Sequence, residues 1–395
     1  MNNCMIISSG MMKDGISWKE DERRSRSWIE VNLKHLKNNA RVLKSLMPSG
    51  CELMAVVKAN AYGHGAVQIA RTMNEIGVRA FAVATLGEGI ELRNNGILGD
   101  ILVLGYTDIN QAGQLKHYQL TQAVIDYDYA LRLNDLQLGL QVHLKIDTGM
   151  HRLGISSQDV EKISQTFDLG GIKVMGMFTH LSVADQQEEE AVEYTRGQIK
   201  EFYHLVKKLK DVGFAIPKLH IQSSYGLMNY PELRCDYARI GIALYGSFSR
   251  PGDQARLSVL LKPVLSLKAR IAMIREVAAG ECVGYGRETP LMQNSRIAVL
   301  PIGYADGLPR NLSYGVGEVL LRGQRVHIVG RVCMDQLLID ITDIPGVEQG
   351  DIVTLIGKDG QEELSASEIA EAAGSITNEL LCRLGSRLAR IYLKI

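Results

Sequence analysis

Short apolar runs alternate with amphipathic stretches from residue 53 onward, and this alternation constrains the fold more than any other feature of the sequence. It is typical of βα units that build a parallel sheet. Eight of the runs have the length of strands, and eight parallel strands close a (β/α)8 barrel. The predicted strands are 53–57, 80–84, 101–104, 122–125, 142–146, 174–179, 219–222 and 240–244. Residues 188–212 carry apolar side chains at helical spacing and predict a long helix.

The pattern changes after about residue 250. The segments that follow are short, rich in β-branched residues and separated by turns that contain glycine, which predicts a mainly β domain. They are 264–274, 295–301, 318–321, 324–328, 337–341 and 351–356. We therefore predict an α/β protein with an N-terminal (β/α)8 TIM barrel at residues 28–250 and a C-terminal mainly β domain at residues 251–395. An early strand at 28–33 is a candidate to pack with the later domain.

Residues 1–27 precede the predicted barrel. A short apolar patch at 4–7 is followed by a charged run at 19–24. A secretory signal has the opposite order, so secretion is not expected. We interpret the segment as a flexible polar leader or linker, or as the remnant of a connection to an upstream module.

The charge balance narrows the class of partner. The 395 residues carry 44 basic and 44 acidic side chains, so the formal net charge is zero. A chain without net charge gives no electrostatic argument for a nucleic-acid or membrane-surface partner, and a small neutral substrate fits better. No apolar run reaches the roughly 18 residues of a membrane span, so no membrane contact is expected of this chain itself. The six cysteines include no Cys-x-x-Cys pair, and neither a metal site nor a disulfide framework is predicted. Reduced thiols in the cytoplasm are expected.

Lys58 is the first candidate catalytic residue. The segment 56–65 reads VVKANAYGHG, which places this lysine at the end of the first barrel strand, where such barrels present reactive groups. A lysine partly shielded from water has a lowered pKa and can attack an aldehyde to form a Schiff base. A lone lysine here would more ordinarily be a surface residue at a βα turn. Tyr62 and the adjacent glycines favour the reactive interpretation.

This segment closely resembles the lysine motif of bacterial alanine racemases, which depend on pyridoxal 5'-phosphate (PLP), and further matches extend the resemblance from Trp28 to the C-terminus. The resemblance implies that Lys58 carries PLP. It also implies a set of groups that hold the PLP phosphate: Tyr62, Ser224 and the backbone amides of Gly241 and Ile242. In the loop HIQSS at 220–224, Ser223 stands where the family usually has asparagine.

The segment ARIGIALYG at 238–246 matches the family motif in which an arginine faces the ring nitrogen of PLP. Arg239 stays charged and does not readily donate its proton, so the resemblance implies an unprotonated ring nitrogen. Weaker electron withdrawal into the ring suits racemisation and disfavours transamination. Without Lys58, a structural arginine in a barrel strand would be the ordinary interpretation.

Racemisation needs acid–base groups on both faces of the substrate. The resemblance assigns Lys58 to one face and Tyr285, in the segment VGYG, to the other, with the tyrosine supplied by a second subunit. His180 resembles the histidine that links this tyrosine to Arg239, and a positive neighbour lowers the pKa of a phenol. A homodimer with shared active sites is therefore expected.

The segment LKIDTGMHRLG at 144–154 resembles a specific family motif. In it Arg152 orients the substrate carboxylate, and Lys145 is often N-carboxylated, which would make it an anion able to hold Arg152. The segment CMDQ at 333–336 also matches and implies that Met334 and Asp335 lie near the substrate from the partner chain. The positions that line the family's access corridor correspond to Asp185, Tyr304, Arg310, Arg331 and Leu384.

Position 386 is the sharpest departure from the family pattern. Aligned on Cys382, Arg387 and Arg390, Ser386 falls where alanine racemases usually carry a tyrosine that touches the phosphate and crowds the substrate. A hydroxymethyl group there opens space and adds a small hydrogen-bonding group, which favours serine as a substrate. The membrane-anchored racemases of vancomycin resistance, whose catalytic part makes D-serine, belong to the same family. On that interpretation the chain is the cytoplasmic domain of a longer membrane-anchored protein.

The sequence thus predicts a PLP-dependent isomerase that interconverts L- and D-alanine, L- and D-serine, or both, by a two-base mechanism. Its products would supply peptidoglycan precursors, with D-serine for vancomycin resistance as the more specific hypothesis. Two alternatives stay open. A PLP-dependent amino-acid decarboxylase of the same class needs an acidic partner at the ring nitrogen, against which Arg239 argues. A non-enzymatic PLP carrier would need neither the β domain nor Tyr285.

Overall fold

The computed structural model describes residues 25–253, 255–257, 259–288 and 290–394. Most of the predicted leader, residues 1–24, lies outside the described residues. Within the described part of the chain, the N-terminal half forms a parallel barrel and the C-terminal half a mainly β domain, as the sequence predicts.

Eight parallel strands form the N-terminal sheet in the order β10-β2-β3-β4-β5-β6-β8-β9. The gap between the first and last strands is bridged by backbone hydrogen bonds from Asp236 to Leu219 and from Arg239 to Gln222. A short strand β7 pairs with β6. The bounds are β2 Glu52–Val56, β3 Ala80–Val83, β4 Asp100–Val103, β5 Thr121–Val124, β6 Leu140–Asp147, β7 Ile155–Ser156, β8 Ile172–Phe178, β9 Lys218–His220 and β10 Tyr237–Ile240.

The last barrel strand differs from its prediction. The sequence predicts a strand at 240–244, but β10 ends at Ile240 and residues Ile242–Tyr245 form a 3-10 turn. All four residues of this turn are buried. A continuous apolar run indicates burial and does not by itself distinguish a strand from a buried turn.

Helices connect the strands on the outside of the barrel. The long predicted helix is confirmed, and its buried residues include Phe202, Leu205 and Leu209. The helix that follows β3 begins with a capping box between Thr85 and Glu88. The bounds are α1 Leu33–Ser45, α2 Ala66–Glu75, α3 Leu86–Asn94, α4 Ala112–His117, α5 Tyr127–Asp135, α6 Val160–Phe167, α7 Glu189–Asp211 and α8 Ser224–Asn229.

A ten-stranded sheet builds the C-terminal half, in the order β12-β13-β16-β15-β14-β17-β11-β1-β19 with β18 paired to β17. Its strands are β1 Ser27–Asn32, β11 Leu265–Arg270, β12 Met273–Val277, β13 Ser295–Leu300, β14 Glu318–Leu321, β15 Gln324–Val329, β16 Leu337–Asp340, β17 Ile352–Asp359, β18 Glu362–Leu364 and β19 Ala389–Leu393. Two helices, α9 Ala366–Ala372 and α10 Thr377–Arg383, lie between the last two strands in the sequence.

Strand β1 belongs to the C-terminal sheet although it precedes the barrel in the sequence. It pairs antiparallel with β11 and parallel with β19, so that Ile29 lies opposite both Leu267 and Arg390. The early strand therefore packs with the later domain, as expected, while the boundaries proposed at 28–250 and 251–395 stay a prediction. Most buried apolar residues of the two halves belong to one hydrophobic core, and Val283, Leu291 and Ile297 form a second, small cluster.

No helix among the described residues has both the length and the apolar content that crossing a membrane requires. Nor do the described residues contain a group of three or more histidine, cysteine, aspartate or glutamate side chains suited to a metal ion.

Candidate active site

A cavity of about 440 Å³ opens at the carboxyl ends of the barrel strands. Its size lies within the range of small-molecule sites. Nine residues predicted from the sequence line it together, although they come from segments far apart along the chain. They are Lys58, Tyr62, Lys145, Arg152, His180, Ser224, Arg239, Gly241 and Ile242.

Four other predicted residues do not line this cavity. Tyr285 and Met334 are exposed, with 70% and 53% of their surface accessible. Asp335 accepts a hydrogen bond from Arg387 Nη2 at 2.7 Å, and Ser386 is exposed. A single copy of the chain therefore does not bring these side chains to the cavity wall.

The backbone that follows Lys58 is left-handed. Ala59, Asn60, Ala61 and Tyr62 have φ between 51° and 55°, a conformation that costs an L-residue roughly 1–2 kcal/mol. Glu88 and Asn60 are among the side chains that support this left-handed turn: Glu88 Oε1 accepts from the Ala59 amide at 2.6 Å, and Asn60 Oδ1 accepts from the Ala66 amide at 2.8 Å. The turn presents both Lys58 and Tyr62 to the cavity.

Lys58 has the electrostatic setting of a nucleophile. Its burial, and next to that the positive charge of Arg152, lower the pKa of its ammonium group. More of the side chain is then the neutral amine, which is the form that attacks an aldehyde.

Lys145 lies on β6 and is only 6% exposed. Its Nζ donates to the carbonyl of Ile146 at 2.9 Å. Burial, and next to that the charge of Arg239, lower the pKa of Lys145 to about 7. Much of the side chain is therefore a neutral amine near pH 7, and only that form can take up carbon dioxide as a carbamate.

Arg152 is an exposed guanidinium on the cavity wall. No carboxylate among the described residues forms an ion pair or hydrogen bond with it. Its planar fork is thus available to bind a carboxylate through two hydrogen bonds.

Arg239 is 5% exposed and is held by backbone and histidine acceptors. Nη1 donates to the carbonyl and the Nδ1 of His220, at 2.9 and 2.8 Å. Nη2 donates to the carbonyls of Thr179 and Ile221, at 2.7 and 3.1 Å. Both terminal nitrogens of Arg239, Nη1 and Nη2, thus donate to acceptors among the described residues. The Nε–H group is left to donate to another acceptor. Burial lowers the pKa of Arg239 to about 10, so it stays charged at neutral pH.

His180 follows β8 and is neutral. Burial, and next to that the charge of Arg239, lower its pKa to about 3. Its Nδ1 lies 3.4 Å from Arg239 Nη2. Because the guanidinium can only donate, Nδ1 is the acceptor and the imidazole proton lies on Nε2. The positive charge expected near the catalytic tyrosine is therefore that of Arg239. It would act on the tyrosine through the neutral His180.

Hydroxyl and backbone donors meet at another part of the cavity wall. Ser224 Oγ accepts from the amides of Gly241 and Ala243, at 3.2 and 3.3 Å. A Cβ atom at position 241 would lie 2.7 Å from the hydroxyl of Tyr62, so only glycine fits without displacement. Burial raises the pKa of Tyr62, which keeps its phenol a hydrogen-bond donor. Such a group of neutral donors suits a phosphate.

Some functional candidates escaped prediction. His143 Nδ1 lies 2.9 Å from His220 Nε2, which extends the Arg239 contacts into the barrel interior. A histidine within an apolar strand is the signal that could have revealed each of them. Asn378, on α10, also lines the cavity, and its buried Oδ1 has no partner among the described residues. No local signal marks Asn378, because it reaches the cavity only when α10 docks on the barrel.

These residues fit PLP on structural grounds. The aldehyde would meet the amine of Lys58, and the phosphate would meet the donors around Ser224 and Gly241. Arg239 would offer its remaining Nε–H to the ring nitrogen. The absence of a Cβ at position 241 lets the Tyr62 hydroxyl lie beside this backbone, where both would face the phosphate.

Comparison with known proteins shows the family to which the chain belongs. Residues 31–249 match the family described as "Alanine racemase, N-terminal domain", and residues 264–392 match "Alanine racemase, C-terminal domain". An amino-acid racemase of Enterococcus faecalis is 49% identical over 363 residues, which cover 92% of this chain and 51% of that protein. The chain therefore spans about half the length of that curated relative.

Two further relatives match over nearly their whole length. An alanine racemase of Clostridium perfringens (strain SM101 / Type A) is 40% identical over 374 residues, which cover 93% of this chain and 95% of that protein. The solved structure of alanine racemase from Clostridium difficile 630 superposes with a TM-score of 0.86 at 35% identity, covering 94% of this chain and 96% of that one. The chain belongs to the alanine racemase family, whose members depend on PLP.

Proposed function

We propose that this chain racemises a small amino acid, alanine or serine, with PLP held at Lys58. The observation that carries the proposal is the single cavity in which a lysine of lowered pKa, an unpaired arginine and a buried arginine meet. PLP, when bound, supplies the electron sink that makes the substrate Cα–H acidic. The test is the conversion of L-alanine and L-serine to their D-forms by purified protein, with Lys58→Ala as the inactive control.

Arg152 binds and orients the substrate. Its guanidinium takes the carboxylate, and this fixes the Cα–H bond relative to Lys58 Nζ. Lys58 Nζ, whose pKa is lowered by burial, then exchanges the proton on one face of the substrate.

Lys145 carries a carbamate in this proposal. The pKa of about 7 supports it, because a neutral amine is available at physiological pH. The carbamate would be an anion near Arg152 and would hold the guanidinium in place. Intact mass measured without acid should show the added carbon dioxide, whereas a bare amine in an experimental density map at neutral pH would remove this part of the proposal.

Tyr285 of a second copy serves the other face of the substrate. The exposure of this side chain, away from its own cavity, supports a role at an interface. His180 would donate from Nε2 to the tyrosine oxygen, and the charge of Arg239 would favour the phenolate. Met334 and Asp335 would approach the substrate from the same copy.

Mixing inactive variants tests the shared site. Lys58→Ala and Tyr285→Phe each remove one base from every site of a homodimer. A heterodimer of the two contains one site with both bases intact, so mixing and re-equilibration should restore activity. If each site uses only its own chain, the mixture stays inactive.

The most specific part of the proposal is the choice between alanine and serine as substrate. Ser386 is exposed and does not line the cavity, and we infer that the absence of the family's usual tyrosine leaves room beside a substrate side chain. We propose that serine is accepted and that D-serine serves a modified, vancomycin-resistant cell wall. The test compares kcat/KM for L-serine and L-alanine in wild type and Ser386→Tyr. A shift towards alanine supports the proposal, and an unchanged preference for alanine overturns it.

The cellular setting is also a proposal. The cysteines among the described residues are free thiols, which are typical of the cytoplasm. We propose cytoplasmic racemisation that feeds peptidoglycan synthesis. The decarboxylase alternative remains disfavoured by Arg239, and the carrier alternative by an unpaired Arg152 that a cofactor carrier would not use.

A further inference from the structure

His64, in the segment that follows Lys58, has no part in the reaction proposed above and yet is completely buried. Its ring Nδ1 lies 2.9 Å from the carbonyl oxygen of Ala61 and 2.8 Å from that of Tyr62. Because carbonyl oxygens only accept, Nδ1 carries the proton and donates to both. His64 therefore closes the end of the left-handed turn.

Tyr245 holds the opposite side of the histidine ring. The two rings are stacked, with centroids 4.4 Å apart and planes inclined by 27°. Tyr245 is itself buried, and its hydroxyl donates to the carbonyl of Val56 at 2.8 Å. One stacked pair thus fixes the strand that leads into Lys58 and the turn that leaves it.

The left-handed backbone explains why such support is needed. Non-glycine residues at positive φ persist only where their surroundings hold them. Without the histidine, the carbonyls of Ala61 and Tyr62 lose a buried donor, and the turn is free to relax. Lys58 and Tyr62 would then move together, because both side chains project from this turn.

His64 itself lies outside the catalytic cavity. It lines a separate cavity of about 170 Å³ between the barrel and the C-terminal domain. Its Nε2 is buried and has no hydrogen-bond partner among the described residues. Within the described part of the chain, the hydrogen bonds of the ring thus go to the two carbonyls of the turn.

We infer that His64 is a positioning residue: by donating to the Ala61 and Tyr62 carbonyls while stacked on Tyr245, it holds the left-handed turn so that Lys58 meets the PLP aldehyde. The inference rests on the proposed function for the role of Lys58. It predicts that the ring nitrogen, and not merely the volume of the ring, controls how Lys58 is presented.

Two variants separate these contributions. His64→Phe keeps the ring stacked on Tyr245 and removes the donor. His64→Asn keeps a donor and removes the stack. Leu209→Ala, in a buried position of α7, is the control for a loss of stability away from the turn.

Three measurements report on Lys58 without relying on turnover. They are the dissociation constant of PLP, the fraction of Lys58 joined to PLP after borohydride reduction by intact mass, and the pH dependence of Lys58 acylation in PLP-free protein. In His64→Phe we expect PLP to bind at least about tenfold more weakly, as for loss of one buried hydrogen-bonding group. The acylation profile should move to higher pH, because a relaxed turn exposes Lys58 to water. His64→Asn should recover part of both effects.

The outcomes are distinct. Wild-type values in His64→Phe would show that the histidine only fills the core and would overturn the inference. Equal losses in Leu209→Ala would do the same, since the effect would then follow general stability. Protein that takes up PLP at Lys58 but racemises neither alanine nor serine would remove the proposed function, while a loss of PLP in His64→Phe alone would still uphold the positioning role.

Discussion

At the residue scale, Arg152 affects both the binding of a carboxylate and the pKa of Lys58. It lines the cavity, and no carboxylate among the described residues neutralises it. Burial is the larger cause of the lowered pKa of Lys58, and the guanidinium of Arg152 lowers it further while offering two parallel donors to an incoming carboxylate. Substrate binding and activation of the amine are therefore coupled through one residue.

Arg152→Lys keeps the positive charge and removes the planar fork. We expect kcat/KM to fall by roughly 10- to 100-fold, mainly through a higher KM, because a point charge orients a carboxylate poorly. Steady-state kinetics with L-alanine and L-serine measure this. Arg196→Lys, the same change on the exposed surface of α7, should leave both constants unchanged. A normal KM in Arg152→Lys would contradict the assigned role.

At the scale of elements, the turns after β2 and β10 interlock. Tyr62 comes from the first, Gly241 from the second, and a Cβ at position 241 would lie 2.7 Å from the Tyr62 hydroxyl. The requirement for glycine comes from contact between two elements.

Gly241→Ala should therefore weaken PLP binding by roughly tenfold. The added methyl group would push the Tyr62 hydroxyl away from the place where it donates to the phosphate. Titration of PLP-free protein measures the dissociation constant. Tyr62→Phe removes the oxygen that the methyl group meets. The double variant should then bind PLP more tightly than the sum of the single effects predicts, and strictly additive losses would argue against this contact.

At the scale of the whole molecule, three histidines lie buried inside the fold, namely His64, His143 and His220, and His180 is partly buried at the cavity. Burial lowers the pKa of His64 and His143 to about 4 and that of His180 to about 3. The charge of Arg239 further opposes protonation of His180 and His220. The unfolded chain titrates these groups near 6.5, so it binds more protons than the folded chain between that pH and about 4.

Stability should therefore be fully present above pH 6.5 and fall as the pH drops towards 4. The expected loss is roughly 1.4 kcal/mol per pH unit for each histidine that stays neutral. Denaturant unfolding between pH 7.5 and 4.5 measures the slope. His143→Asn should reduce the slope, and the exposed His204→Gln should not; a flat profile in wild type would contradict neutral burial.

Much of the fold could be predicted because its periodicity is local. Strand positions, the long α7 helix and the change to a β domain follow from the spacing of apolar residues. The eighth strand was misplaced because residues 242–245 are buried in a turn, and burial leaves the same apolar signature as a strand. Asn378 gave no local signal, because its neighbours in space are distant in sequence.

The sequence by itself determined the barrel, the family and the segments that carry Lys58, Arg152 and Arg239, since each of these depends on short-range patterns and motifs. Only the tertiary structure decided the left-handed turn, the hydrogen bonds that leave Arg239 Nε open, and the addition of β1 to the distant C-terminal sheet. The physical reason is that burial and hydrogen-bond partners are set by packing between distant segments. Those contacts, and not the local sequence, set the pKa of Lys58 and the shape of the cavity around it.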